Sequence, residues 1–417
     1  MAYDRKFSRR NFLATGSTLA LGPLVLQLAS CASHSDVGKD DGPAKREPTP
    51  TRTLEASSVL LGLYAGDGAK ALEHAVKRLD FSWLGKGDSV LIKVASNSGN
   101  PHPAVTSPAG ARAMAAHLKA LGAGRVVVAD QAGVEHVRLS AQGRFSSTRE
   151  RWMQNGLMAV VQGDAELHFF DDQGFEDGYF EAAPPDDNHW PRGLRIANAV
   201  LDADHVVYMP RIGAHTLAGL TLGHKSAIGF LRDDSRHDLH NDAANFYEKY
   251  TEINYTRELR ERFRMAVTVA PKLLLHGGPD VGTVYDMAPV LVVASDSLAN
   301  HDALAASLLV SLQNGVLRTG GAMDYNAAFA PLANRAFAGG FGVATGAAGA
   351  WRSAAPSSSY SAHAFEQGVT KDRAIARGWE LSGGKPSRIE IVSDGKPLDE
   401  NLHRAIEAHG EGLYAFA

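Results

Sequence analysis

The 417-residue chain is 44% hydrophobic and 21% charged, the make-up of an ordinary globular protein, which excludes a disordered, collagenous or many-span membrane chain. With 42 Lys and Arg against 46 Asp and Glu, and no run of like charge, it lacks the electrostatic footprint of a nucleic-acid binder, so no nucleic acid is expected as a partner. A single cysteine excludes an intramolecular disulfide, a Cys-rich zinc site and an iron–sulfur cluster.

The amino terminus carries Arg5, Lys6, Arg9 and Arg10 against one acid, Asp4, and no Asp, Glu, Lys or Arg follows from Asn11 to Ser35. This is a signal-peptide layout. Gly16, Gly22 and Pro23 interrupt the apolar stretch, which suits a cleaved segment better than a permanent span of about 20 apolar residues. Ser8-Arg9-Arg10-Asn11-Phe12-Leu13 resembles the twin-arginine export motif, with Ala14 where that motif often has lysine. Leu28-Ala29-Ser30-Cys31 resembles the lipobox of bacterial lipoproteins. The expectation is a signal peptide over 1–30 read by the twin-arginine export machinery, a lipid on Cys31, and a domain anchored at a membrane facing the periplasm or cell exterior. Removing 1–30 takes away four basic groups and one acid, which leaves 38 basic against 45 acidic residues, a formal charge of −7. Residues 31–56, with Pro43, Pro48 and Pro50 among polar side chains, read as a lipidated tether, and 57–417 as the folded domain.

Within that domain, Val59 to Leu63 reads as a strand and the residues after Asp67 as a helix. Val90 to Val94 reads as a second strand, Pro108 as the first turn of a helix through Leu121, and Val126 to Asp130 as a third strand after Gly122 and Gly124. This β-α-β unit predicts a mostly parallel, Rossmann-like α/β sheet with helices on both faces, in two closely packed lobes. It puts Asp130 at the carboxyl end of a strand, where open α/β sheets gather ligands, and so makes it a cofactor-binding candidate. Lys93 either reaches a ligand from its strand or snorkels to the surface. His205 to Pro210 reads as a strand entering a loop, Thr221 to Phe230 as a helix, and the stretch through Arg264 as further helices. Val290 to Ala294 reads as a buried strand before a helix over Leu298 to Leu312, residues 338–361 as a Gly-, Ala- and Ser-rich loop, and Arg388 to Val392 as a last strand.

Six of the 17 histidines lie between His189 and His240. His215 and Lys225 fall in the segment Gly213 to Lys225, a loop entering a helix, where backbone amides attract an anion, glycine permits close approach and lysine pairs with a carboxylate or phosphate or acts as a nucleophile if desolvated. His215 is therefore a general acid/base candidate, and Lys225 an anion or cofactor anchor. His237 and His240, three apart with acids around them, read as metal ligands if the stretch is helical, or as a solvated polar turn. His224 reads as a hydrogen-bonded structural residue, and His276-Gly277-Gly278-Pro279-Asp280 with Asp286 either as a turn that faces a ligand or as a structural turn that glycine and proline alone would predict.

Taken in order, Val90-Leu91-Ile92-Lys93, Thr106-Ser107-Pro108, Val127-Val128-Ala129-Asp130, the Pro210 to Gly229 segment, His240, and Ser295-Asp296 with Asp302 resemble the domain of unknown function 362 family over most of 57–315. The chain departs from it at Lys93-Val94-Ala95, Gly213-Ala214-His215 and Lys225-Ser226, where the family often has Lys-Pro-Asn, Lys-Thr-His and Lys-Asn. A more distant resemblance, in His215, Gly219 and Lys225, is to the nickel-pincer lactate racemases. That resemblance implies a lysine tether for a nickel-bearing nucleotide cofactor at Lys225 and a metal-binding histidine at His240. The function expected is an anchored enzyme, metal- or cofactor-dependent, that acts on a small anionic substrate. A noncatalytic ligand-binding lipoprotein is the alternative.

Overall fold

The computed structural model describes residues 58–215, 217–314, 323–324, 368–393 and 400–416. The expected signal peptide with Arg9, Arg10 and Cys31, the tether and the loop at 338–361 lie outside the described residues. All described residues fall in one compact unit, Thr49–Ala417. Among them no helix is long and apolar enough to cross a membrane.

In chain order the strands are β1 Ser58–Tyr64, β2 Ser89–Val94, β3 Arg125–Asp130, β4 Arg138–Ser140, β5 Gly143–Phe145, β6 Glu166–Phe169, β7 Tyr179–Ala182, β8 Leu194–Ala197, β9 His205–Met209, β10 Gly213–His215, β11 Gly219–Thr221, β12 Phe263–Gly277, β13 Gly282–Ser295, β14 Met323–Asp324, β15 Ile389–Val392 and β16 Tyr414–Phe416. The main helices are α1 Gly68–Ala75, α2 Pro108–Ala120, α3 Thr148–Asn155, α4 Leu157–Val161, α5 Gly223–Ser226, α6 Asp233–His240, α7 Phe246–Ile253, α8 Arg257–Arg262, α9 Leu298–Gln313, α10 Arg373–Leu381 and α11 Glu400–Gly410. The central sheet runs β16-β15-β1-β13-β12-β9-β2-β3-β6. Every neighbour pair along it is parallel except those of β13, which runs antiparallel to β1 and β12. The architecture is thus the expected mostly parallel α/β sheet.

Helices cover both faces. Val90, Ile92 and Val94 of β2 pack into one cluster with Ala71 and Leu72 of α1 and Met114 and Leu118 of α2. Leu91 between them faces another, with Phe246 and Tyr250 of α7. Strands buried on both faces read as continuous apolar runs, which is why Val-Leu-Ile and Val-Val-Val mark β2 and β3. Ser107 caps α2 by accepting from the Gly110 amide at 3.3 Å, with Pro108 at the first helical position, and Ser297 caps α9 in the same way.

The largest departure from the sequence reading is the β12–β13 hairpin. Its long strands pair from Ala266↔Ser295 to Gly277↔Gly282, with a register shift between Ala270 and Lys272. Pro271 lies at that shift; lacking an N–H it interrupts the ladder, and the hairpin continues beyond the sheet. β12 is parallel to β9, so the tip, Gly278 to Val281, emerges at the same edge as the carboxyl ends of β9, β2 and β3. The short β10–β11 hairpin attaches to this extension through Gly213↔Leu274.

Candidate active site at the carboxyl edge of the sheet

Beneath the edge lies a buried ion pair. Lys93 Nζ on β2 meets Asp130 Oδ1 on β3 at 2.6 Å and donates to the carbonyls of Val94 and Ser226 at 2.8 Å each, while the Ser96 amide donates to Asp130 Oδ2 at 2.6 Å. Burial drives both groups toward their neutral forms against their mutual attraction. Lys93 thus does not snorkel to the surface, and its ammonium and the Asp130 carboxylate are buried against each other. Gly229 closes over the pair, since a Cβ there would sit 2.0 Å from Asp130 Oδ1.

Four basic side chains gather above. Arg211, two residues past β9, is buried and donates to the carbonyls of Pro103 at 3.2 Å and Pro279 at 2.9 Å, which ties the hairpin tip to the loop after β2. Burial lowers its pKa to about 10. His215 ends β10. Its Nδ1 accepts from the amides of Leu217 at 3.1 Å and Ala218 at 3.2 Å, so the proton of the neutral ring is on Nε2. Burial, then the charges of Lys225, Arg211 and His240, hold its pKa well below the histidine range. His240, at the end of α6, has the opposite tautomer: its Nδ1 donates to the Arg236 carbonyl at 2.7 Å, which puts the lone pair on Nε2. Burial, opposed by that bond and reinforced by Lys225, lowers its pKa to about 3.

Lys225 is half-buried on α5 and makes no hydrogen bond or ion pair with the described residues. Desolvation first, then Arg211, lowers its pKa to about 7, with Glu135 and Asp280 acting in the opposite direction. On its Tyr250 side it borders a cavity of about 20 Å³, the room of one water.

The sequence reading of an open helix start does not survive. The amides of Gly223 and His224 donate to Asp302 at 2.7 and 2.9 Å, and the same carboxylate holds His224 Nδ1 and His301 Nδ1, each at 2.8 Å. Burial would raise the Asp302 pKa, but the two histidines hold it well below the carboxylate range. The chain's own acid therefore takes the position predicted for an external anion, and what remains for a ligand is the Lys225 side chain. His224 is the structural residue expected.

α6 gives the two histidines paired in sequence different exposures, though His237 is near enough to lower the His240 pKa. His240 turns toward Lys225, whereas His237 is exposed. Among the described residues the one group of three converging metal-ligand side chains is a different set, Glu135, His136 and Asp280. His136 Nε2 lies 2.8 Å from Asp280 Oδ2, and the Asn97 amide donates to Glu135 at 2.9 Å and to Asp280 at 2.7 Å. Burial opposes charge on His136, yet Asp280 and Glu135 raise its pKa; burial likewise opposes charge on Asp280, yet His136 and Asn97 lower its pKa. Arg211, Glu135 and His136 went unread because nothing in their own segments marks them; Asp280 falls in a turn that reads either as facing a ligand or as merely structural. Their one common signal is position just past a strand end or at the tip of the hairpin.

Arg236, buried in α6, joins these parts. Its guanidinium donates to the carbonyls of Gln131, Ala132, Gly229 and Leu231, and its own carbonyl receives His240. Its side chain thus fixes the loop leading to Glu135 and His136 and the segment after Lys225, while its backbone carbonyl fixes the His240 ring.

A family model described as "Domain of unknown function (DUF362)" matches residues 90–307. No protein of curated function matches the sequence. Among solved structures, the lactate racemase apoprotein from Thermoanaerobacterium thermosaccharolyticum is similar at 14% identity, covering 61% of this chain and 57% of that one, with a TM-score of 0.38. A Thermotoga maritima protein from a structural genomics programme is similar at 11% identity, covering 60% of each chain, with a TM-score of 0.37. This chain thus spans less than two thirds of the length of either.

Proposed function

The chain belongs to the domain of unknown function 362 family, and from that premise we propose that it is an enzyme acting on a small anionic substrate at the carboxyl edge of the sheet. The observation that carries this reading is a pair of neutral histidines with opposite tautomers beside an ammonium that has no counterion among the described residues. Lys225 and Arg211 hold a carboxylate or similar anion. His215 offers the Nε2–H as donor to a developing charge, and the neutral His240 ring stands beside it without adding positive charge. Screening the purified chain against small carboxylic and hydroxy acids tests it: product formation abolished in His215→Ala is expected, and tight binding without turnover under every metal condition would make the protein a noncatalytic binder.

A second reading is favoured by the same lysine. An amine with a pKa of about 7 is substantially uncharged at neutral pH and suited to a covalent link, as the resemblance to nickel-pincer racemases implies. Lys225 and His240 are the residues that would hold such a group, which would supply the reaction with a metal centre.

We further propose that this chemistry works outside the cytoplasm, on a domain anchored through Cys31. Cys31→Ser is expected to release the chain from the membrane fraction or leave the precursor uncleaved; full retention with correct processing would contradict the anchor. Arg9→Lys with Arg10→Lys is expected to block export of the folded chain.

A further inference from the structure

We propose that Glu135, His136 and Asp280 form a site for a borderline divalent transition ion such as Zn²⁺ or Mn²⁺, distinct from the His237 and His240 pair. One ligand atom from each of the three lies within 4.8 Å of the others, close enough to converge on one ion. Two hard oxygens and one imidazole nitrogen make a donor set that suits such ions better than a thiolate-seeking one. Three protein ligands leave coordination positions open for water or substrate.

The charge balance points the same way. Two carboxylates share one amide group, Asn97, and Glu135 forms no ion pair with any described residue. His136 is the only ion-pair partner of Asp280 among them. Arg211 and Lys225 are near enough to feel these acids, but Arg211 donates to the carbonyls of Pro103 and Pro279 rather than to either acid, and Lys225 touches neither. A dication between the carboxylates offsets this repulsion. The frame is built from separate elements: the Gly133 amide donates to the Asn97 carbonyl at 2.8 Å, the Gly133 carbonyl receives the amides of His136 and Val137, and the hairpin tip supplies Asp280. A Cβ on Gly133 would lie 2.2 Å from Asn97 Oδ1 and 2.8 Å from both Glu135 oxygens, so a side chain there would displace the ends of both. When the ion binds, the proton between His136 Nε2 and Asp280 leaves to solvent, and the nitrogen lone pair and the carboxylate oxygens become ligands.

Equilibrium dialysis of the full chain with Zn²⁺, Mn²⁺ and Mg²⁺, without any substrate, tests the site and is independent of whether Lys225 binds an anion. One Zn²⁺ or Mn²⁺ per chain is expected, with Mg²⁺ weaker because it gives up its water reluctantly. Glu135→Gln and Asp280→Asn should each weaken binding at least about tenfold, whereas His237→Ala should leave it unchanged. X-ray absorption of the zinc-loaded wild type keeps the proposal testable if a variant fails to fold: one imidazole nitrogen among oxygen ligands is expected. Two or more imidazoles, stoichiometric binding that survives both acid substitutions, or no binding below millimolar metal would each overturn it.

Discussion

Replacing Lys225 by alanine is expected to weaken binding of a small carboxylate by about tenfold to a hundredfold, the equivalent of about 1.5–3 kcal/mol for a hydrogen bond to a charged group. Asp302 already occupies the α5 amides, so the side chain is the part of this helix left to hold the ligand. The pH dependence has a definite sign. The amine is charged below its pKa of about 7 and neutral above it, so affinity for the anion should fall as pH rises through neutrality. Lys225→Arg should remove that fall, since a guanidinium keeps its charge across this range. Intact mass separates the two uses of the lysine. A tether predicts an adduct on native protein that is lost in both Lys225→Ala and Lys225→Arg, whereas an anion contact predicts an unmodified chain.

The second large effect is on stability. Asp130→Ala should destabilise the fold by about 3–5 kcal/mol, because it leaves the fully buried Lys93 ammonium without its partner. The loss should be greatest at low pH. In the variant the unfolded chain binds a proton on Lys93 that the folded chain sheds, so stability rises with pH. Lys93→Met combined with Asp130→Leu should recover much of it, as apolar replacement of a buried pair often does. Denaturant unfolding of the three variants reads all of this. Loss of ligand binding with unchanged stability in Asp130→Ala would instead return this carboxylate to the cofactor role its strand-end position suggests.

The β2-α2-β3 unit is legible almost to the residue because a strand buried on both faces leaves a run of branched apolar residues and a Ser-Pro pair starts the helix between them. β12 is hidden for a related reason. It follows α8 without a glycine or proline to mark the change, and its buried first half, Met265 to Ala270, has no alternation to separate strand from helix. The missed hairpin hides the route by which Asp280, in a turn read as able to face a ligand, reaches the sheet edge: β12 runs parallel to β9 and continues past it. His215 and Lys225 stand out because glycines surround them. Asp302 contradicts the open helix start from 79 residues downstream, a distance at which local pattern says nothing. The opposite tautomers of His215 and His240 are set by backbone partners that no spacing rule contains.

The anion site depends most directly on the state of the Lys225 amine. Amine-selective labelling of the native chain across pH, followed residue by residue by mass spectrometry, measures it. Half-reaction of Lys225 near pH 7, with protection by a small carboxylate, is the predicted result. Labelling of Lys225 only alongside ordinary lysines, with a midpoint near about 10.4 and no response to carboxylate, would contradict the site.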